Sequence, residues 1–250
     1  MAVENVHWPV QVVSLTGATA RRSVFSARAQ GARIPWQFFP ACTGVVDGLA
    51  YDAAAVERNK GRQLTAGEIG CYASHFSIWR HMVSRGVPQC IVLEDDTIVD
   101  WALLAALSEV DLAQRRMHYL RLYAKKPALS RIVERELIPN SRRVVVEYAG
   151  YAYGTQGYAV TLEGARAFLR ACAVIRRPVD DEMDRSWEHG IRNLGLFPAP
   201  VIEEFVDSGI GTARFEAERS AMYHAARQQF SRWIDRQKIR AKKVRLLLGR

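Results

Sequence analysis

Short apolar runs alternate with stretches whose apolar residues recur every three or four positions. That alternation predicts an α/β fold with a mainly parallel central sheet. Residues 10–15 read as a first strand, 16–19 as a Gly-containing loop, and 21–30 as a helix closed by Gly31. Residues 36–39, after Pro35, read as a second strand. The strongest helical signal is LTAGEIGCYASHFSIWRHMVSRG, residues 64–86. Ile69, Tyr72, Phe76, Trp79 and Val83 form its apolar stripe, Thr65 and Glu68 have capping-box spacing, and Gly86 stops it. Residues 90–93 are then a buried-type strand, with helical residues from Trp101 onward.

The second half is less regular. Residues 119–123 and 144–148 read as strands around a basic, polar insertion. YGTQGYAVT is a Gly-rich turn into a strand, 163–172 a helix, and RPVDDEMDRSWEHG a short helix after Pro178 that ends at Gly190. Residues 196–202 contain two prolines, which donate no ladder hydrogen bond, so an edge strand or a loop is expected there. In open sheets of this class, ligands sit at the C-terminal ends of the strands.

Composition narrows the class. The chain has 250 residues, 49% hydrophobic and 24% charged, enough to bury a sizeable core. Cys42, Cys71, Cys90 and Cys172 show no CxxC or metal-ligand spacing and are expected as reduced thiols. The opening MAVENVHWPV lacks a basic start and an apolar h-region, so a cytoplasmic location is expected. Net charge is +9, yet residues 227–250 hold nine Lys or Arg against Asp235 alone. A division into a body, 1–211, and a basic amphipathic helical tail, 212–250, follows from that asymmetry.

Candidate chemistry begins at IVLEDDTIVD, residues 91–100. If the strand continues, Glu94 and Asp96 share one face and Asp95 the other. Converging carboxylates at a strand end suit a hard divalent cation such as Mg²⁺ or Mn²⁺, with positions left for phosphate oxygens. The competing reading is a solvated acidic turn that caps the next helix. His75, beside Ser74 on the long helix, is by itself as consistent with packing as with a site. Arg21 and Arg22 follow a strand and loop, where an arginine pair could meet a phosphate, although exposed arginines are common in a first helical turn. Gly154 and Gly157 suit a close backbone approach or simply a turn. Asp180, Asp181 and Asp184 form a second acidic group. One of the first two could cap a helix, and one could act as a general base. These residues alone describe a metal-dependent α/β enzyme acting on a phosphate-containing substrate.

LTAGEIGCYASHFSIWRHMV followed by IVLEDDTIV closely resembles the core signature of glycosyltransferase family 25, the lipooligosaccharide-type galactosyltransferases. VVSLTGATARRSVF, GTQGYAVTLEGARAFL and RPVDDEMDRSWEHG match further blocks of that family in order, over residues 10–205. Ala20 stands where the family often has an acid before the arginines. The resemblance implies a GT-A-like, Rossmann-like domain that transfers a hexose, most often galactose, from a UDP-sugar with inversion. It implies that Asp96, with Glu94 or Asp95, holds Mn²⁺ or Mg²⁺ across the diphosphate. It makes Asp180 the base, with Asp181 second. Leu15, Arg21, Arg22, Ser74, His75, Glu94, Asp95, Gly154 and Thr155 would then lie at the donor site. The expected acceptor is a lipid-linked or free oligosaccharide such as lipopolysaccharide.

The tail RQQFSRWIDRQKIRAKKVRLLLGR mixes cations with Phe230, Trp233, Ile234, Val244 and Leu246 to Leu248. It reads as a helix lying on an anionic membrane, or as a solvated C-terminal helix. Nucleic acid is not an expected partner, because the near-neutral body offers no matching module. A metal-dependent phosphohydrolase and an inactive sugar-binding homologue are the rival readings.

Overall fold

The computed structural model describes residues 9–204 and 225–248. Its elements in chain order are β1 (Val10–Ser14), α1 (Thr19–Arg28), β2 (Trp36–Pro40), β3 (Ala50–Tyr51), α2 (Ala53–Lys60), α3 (Ala66–Arg85), β4 (Gln89–Glu94), β5 (Thr97–Val99) and α4 (Trp101–Ser108). There follow β6 (Tyr119–Arg121), β7 (Ser130–Glu134), β8 (Val144–Tyr148), β9 (Gly157–Thr161), α5 (Leu162–Ala171), β10 (Val174–Ile175), α6 (Val179–Asp184), α7 (Ser186–His189), β11 (Leu194–Phe197), β12 (Val201–Glu203) and α8 (Ala225–Leu247).

The α/β expectation holds, and the eight-stranded sheet runs β2-β1-β4-β9-β6-β11-β8-β7. It is mixed. Parallel ladders join β2, β1 and β4, and again β6 and β11. Antiparallel ladders bind β9 between β4 and β6, and bind β8 to β11 and β7. Helices follow β1 and precede β4, as parallel pairing requires. By contrast, β9 arrives from the long 122–156 excursion and enters the sheet reversed. This arrangement is compatible with a Rossmann-like GT-A domain.

Strand alternation sends side chains into two cores, one on each face of the sheet. Val12, Ile91 and Leu93 pack with Phe25 of α1 and Leu104 and Leu107 of α4. Val13, Val92 and Val160 pack with Tyr72, Phe76 and Trp79 of α3 and Phe168 of α5. The predicted capping box forms, with Thr65 accepting from the Glu68 amide and Glu68 from the Thr65 amide, and Gly86 ends α3 at φ 65°.

Three expectations change. Leu194–Phe197 is an interior strand between β6 and β8, because its prolines fall just after it, in the turn to β12. The helix after Pro178 is two short helices, with Pro178 at the first N-cap, so neither Asp180 nor Asp181 caps it. β4 ends at Glu94, leaving Asp95 and Asp96 in a tight turn into β5, so strand alternation does not set their directions.

α8 lies along the body rather than apart from it. Asp235 accepts from Tyr151 at 2.9 Å, Lys242 donates to Ser186 at 2.9 Å, and Leu246 is buried. The boundary at 211 lies outside the described residues. Among the described residues, no helix is long and apolar enough to cross a membrane.

Candidate functional site

The C-terminal ends of β1 and β4 lie side by side because their parallel register pairs Val13 with Glu94. The acids that follow β4 separate at once. Asp95 turns toward β1, where its Oδ2 accepts from Ser14 at 2.6 Å and its Oδ1 pairs with Arg21 at 3.4 Å. Arg22 holds the same corner, donating to the Ser14 hydroxyl at 3.0 Å and carbonyl at 3.1 Å, with its guanidinium 4.7 Å from the Phe38 ring centre. Leu15, next along, is exposed at the rim.

Glu94 faces α3 and the loop before β9. Its Oε1 accepts from the Thr155 hydroxyl and lies 3.6 Å from His75 Nε2. Burial pushes this carboxyl up, but the proximity of His75 and the bond from Thr155 outweigh it and hold it below the usual range. His75 is fully buried, and its Nδ1 is 3.0 Å from the Tyr158 hydroxyl, which also accepts from Trp79 at 3.1 Å. Cys71, one helical turn before His75, places its sulfur 3.8 Å from the Thr155 oxygen. Because the Thr155 proton goes to Glu94, the thiol is the donor there. Burial and then the charge of Glu94 keep that thiol protonated, far above its ordinary range. Ser74 supports from behind: it donates to the Gly70 carbonyl at 2.7 Å and accepts from the Cys42 amide at 2.8 Å.

Asp96 is the under-satisfied member. Its Oδ1 is buried and has no hydrogen-bond partner among the described residues. Burial, and then the charges of Glu94, Asp95 and Glu203, push its carboxyl up to about 7. Glu203 arrives on β12, which pairs antiparallel with β5 so that Glu203 faces Thr97. It accepts from Tyr123 at 2.7 Å and lies 3.6 Å from Lys125. By their chemistry, carboxylates carrying excess negative charge and an orphaned oxygen suit a hard divalent cation. Among the described residues, the group of three whose ligand atoms all lie within 4.8 Å of one another is Cys71, His75 and Glu94, but a thiol held protonated is a poor ligand.

The second acidic group reaches the same place through two consecutive residues. The Gly154 amide donates to Asp180 at 3.1 Å, while Thr155 donates to Glu94. Gly154 has φ 84°, and a Cβ there would stand 2.5 Å from the Tyr123 ring, so only glycine fits. Burial and then the neighbouring Asp181 raise the Asp180 carboxyl. Asp181 is paired with Lys60 at 2.9 Å. Asp184 points inward to Arg121 and Asn193, at 2.7 and 2.6 Å.

The geometry thus gathers Glu94, Asp96, Thr155, Gly154 and Asp180 around Cys71, and it sets Asp95, Arg21, Arg22 and Leu15 at the adjoining β1 corner. Sequence reasoning missed Glu203, Tyr123 and Cys71. Cys71 is signalled by its four-residue spacing from His75, whereas Glu203 lies just past the proline-containing stretch 196–202 and carries no motif of its own.

A sequence model described as glycosyltransferase family 25 (LPS biosynthesis protein) matches residues 7–183. Among curated proteins, the chain is 33% identical over 114 residues to procollagen galactosyltransferase 2 of Mus musculus, covering 44% of this chain and 18% of that protein. It is 30% identical over 151 residues to procollagen galactosyltransferase 1 of Danio rerio, covering 54% and 25%. It is 34% identical over 125 residues to the probable inactive glycosyltransferase 25 family member 3 of Bos taurus, covering 48% and 20%. The chain therefore spans a quarter or less of the length of these relatives. With most of its sequence inside that one family match, the chain belongs to glycosyltransferase family 25.

Proposed function

We propose that this chain is an inverting, metal-dependent hexosyltransferase that moves a sugar from a UDP-sugar to a glycan acceptor. The observation that carries the reading is the bridge at Gly154–Thr155, which ties Asp180 to one residue and Glu94 to the next. Asp96 and Glu94 would hold Mn²⁺ or Mg²⁺, with Glu203 beside them and Asp95 engaged at the β1 corner. When bound, such an ion offsets the charge that builds on a departing diphosphate.

The chain's own residues supply the rest. Arg21 and Arg22 bring positive charge to the rim where the donor's phosphates would enter. Asp180 accepts the proton of the acceptor hydroxyl as that oxygen attacks the anomeric carbon from the face opposite UDP. Its raised affinity for protons strengthens it as a base, whereas Lys60 already offsets the charge of Asp181. Galactose is the favoured sugar, since two of the relatives are named galactosyltransferases. The family description, which names lipopolysaccharide biosynthesis, supports a lipopolysaccharide-type acceptor.

A position at the cytoplasmic face of an anionic membrane is part of the same reading. On α8 the exposed Trp233, Val244 and Leu247 lie among the exposed cations Arg240 and Lys243. Sedimentation with phosphatidylglycerol vesicles checks this, and equal binding by wild type and an Arg240→Glu, Lys243→Glu variant removes it.

The central test is a screen of UDP-sugars with Mn²⁺ or Mg²⁺, read by UDP release and by transfer to an oligosaccharide. One UDP-hexose should support transfer, with activity lost on chelation and in Asp180→Asn. Release of inorganic phosphate instead would favour a phosphohydrolase. No turnover with any donor would favour an inactive sugar-binding homologue.

A further inference from the structure

We propose that Asp235 of α8, which lies beyond the family-matched region, is a positioning residue of the active site, holding the base-bearing helix α6 against the loop at 150–155. The two segments that must stay in register are this loop and α6, because Gly154 and Asp180 meet across them. Asp235 contacts both. Its Oδ1 accepts from Arg185, immediately after α6. Its Oδ2 accepts from the Tyr151 hydroxyl at 2.9 Å and lies 3.7 Å from Arg177, just before α6. One carboxylate thus gathers both flanks of α6 and the start of the loop.

The helix also packs against α2, and two further side chains of α8 fall on or beside the same two segments. Ile239 lies against Gly150, where a Cβ would stand 3.6 Å from its Cγ2, and Lys242 donates to Ser186 at the start of α7. Asp235, Ile239, Lys242 and Leu246 share one face of the helix at three- and four-residue spacing. Inside the loop, Tyr151 stacks on Tyr153 with ring centres 5.2 Å apart. Tyr153 has φ 57° and Gly154 φ 84°, two consecutive residues in the left-handed region. Glycine adopts this region freely, but Tyr153 persists there only when its surroundings enforce it. Asp184 enforces it from below through the Ala152 and Tyr153 amides, and Asp235 from the side through Tyr151. Arg185 keeps Glu182 and Glu188 as partners if Asp235 is lost, so the core around it stays paired.

The test is Asp235→Asn with Asp235→Glu as the conservative variant, in the full chain. The kinetic arm rests on the hexosyltransferase reading. There kcat for transfer should fall at least about tenfold in Asp235→Asn, the scale at which a misplaced group costs rate, while the donor KM stays within about twofold. Asp235→Glu should recover most of the loss. The second arm needs no substrate: amide hydrogen exchange should speed up in residues 150–155 and 179–185 of Asp235→Asn and stay unchanged in β1 and β4. Unchanged exchange in those two segments, or equal loosening throughout, overturns the proposal. So does a kcat within twofold of wild type, or a parallel loss of kcat and donor affinity. If wild type transfers no sugar at all, the hexosyltransferase reading fails and the exchange result alone decides the role of Asp235.

Discussion

Asp96 and Asp184 are each the last acid of an acidic group, and their surroundings are opposite. Asp184 is almost fully buried and accepts four hydrogen bonds: from Arg121, Asn193 and the amides of Ala152 and Tyr153. Asp96 has an oxygen with no partner among the described residues and is crowded by the charges of Glu94, Asp95 and Glu203. A fully paired buried carboxylate is a structural member. One left short of donors among like charges is the carboxylate proposed above to meet a cation. Between them stands Asp180, held by backbone amides on both oxygens yet raised by burial and by Asp181.

The widest separation of the two roles comes from removing each carboxylate. Asp184→Ala leaves the Arg121 guanidinium, 1% exposed, without its ion partner. Breaking a buried pair from one side costs about 3–5 kcal/mol, so the denaturation midpoint should fall sharply and activity should follow the folded fraction. A loss below about 1 kcal/mol would show that Asp184 is not the keystone its hydrogen bonds suggest. Asp96→Asn should do the reverse. It removes like-charge repulsion, so the thermal midpoint of chelator-treated protein should hold or rise. Transfer should meanwhile drop by about a hundredfold or more, the scale of losing an electrostatic group at the reacting centre. If Asp96→Asn unfolds the protein, or transfers sugar at the wild-type rate, the contrast between the two acids collapses.

Much of the β1–β4 frame was legible because it is locally coded. The α3 helix announces itself by a capping box, an apolar stripe and a stop glycine, and all three form. The acidic triplet was visible as a group, but the direction of each member was not. Strand alternation assumes the strand continues, and β4 ends at Glu94, so Asp95 turns to Ser14 while Asp96 stays within range of the charges of Glu94 and Glu203. Glu203 was illegible for a related reason. Its strand is three residues long, and its ladder partner is β5, more than a hundred positions earlier. Asp180 and Asp184 looked alike in sequence, one helical turn apart. What distinguishes them is Arg121 on β6, a contact set by sheet order rather than by neighbours in the chain.

The smallest expected effect acts on the α6 side alone and uses pH. His189 closes α7, its Nε2 donating to the Met183 carbonyl at 3.1 Å and its Nδ1 accepting from the Ile191 amide at 3.1 Å. Burial chiefly, outweighing the bond to Met183 and joined by the charges of Lys242 and Arg185, lowers the imidazole from 6.5 to about 4. Between those values the unfolded chain binds the proton and the folded chain does not, so stability falls as pH drops through the window and recovers above 6.5. The full difference is on the order of 3 kcal/mol, reached near the folded value. Protonation would also turn the Nδ1 acceptor into a donor facing the Ile191 amide, so the loosening should begin where α7 meets α6. Thermal midpoints of wild type and His189→Gln between pH 4 and 7 isolate this group from the other acids that titrate there. The wild-type curve should fall more steeply toward acid, and exchange should quicken in α6 before it does in β4. Parallel curves for the two proteins would mean that His189 is free to charge, and that the α6 acids rest on a scaffold no more sensitive to acid than the β4 turn.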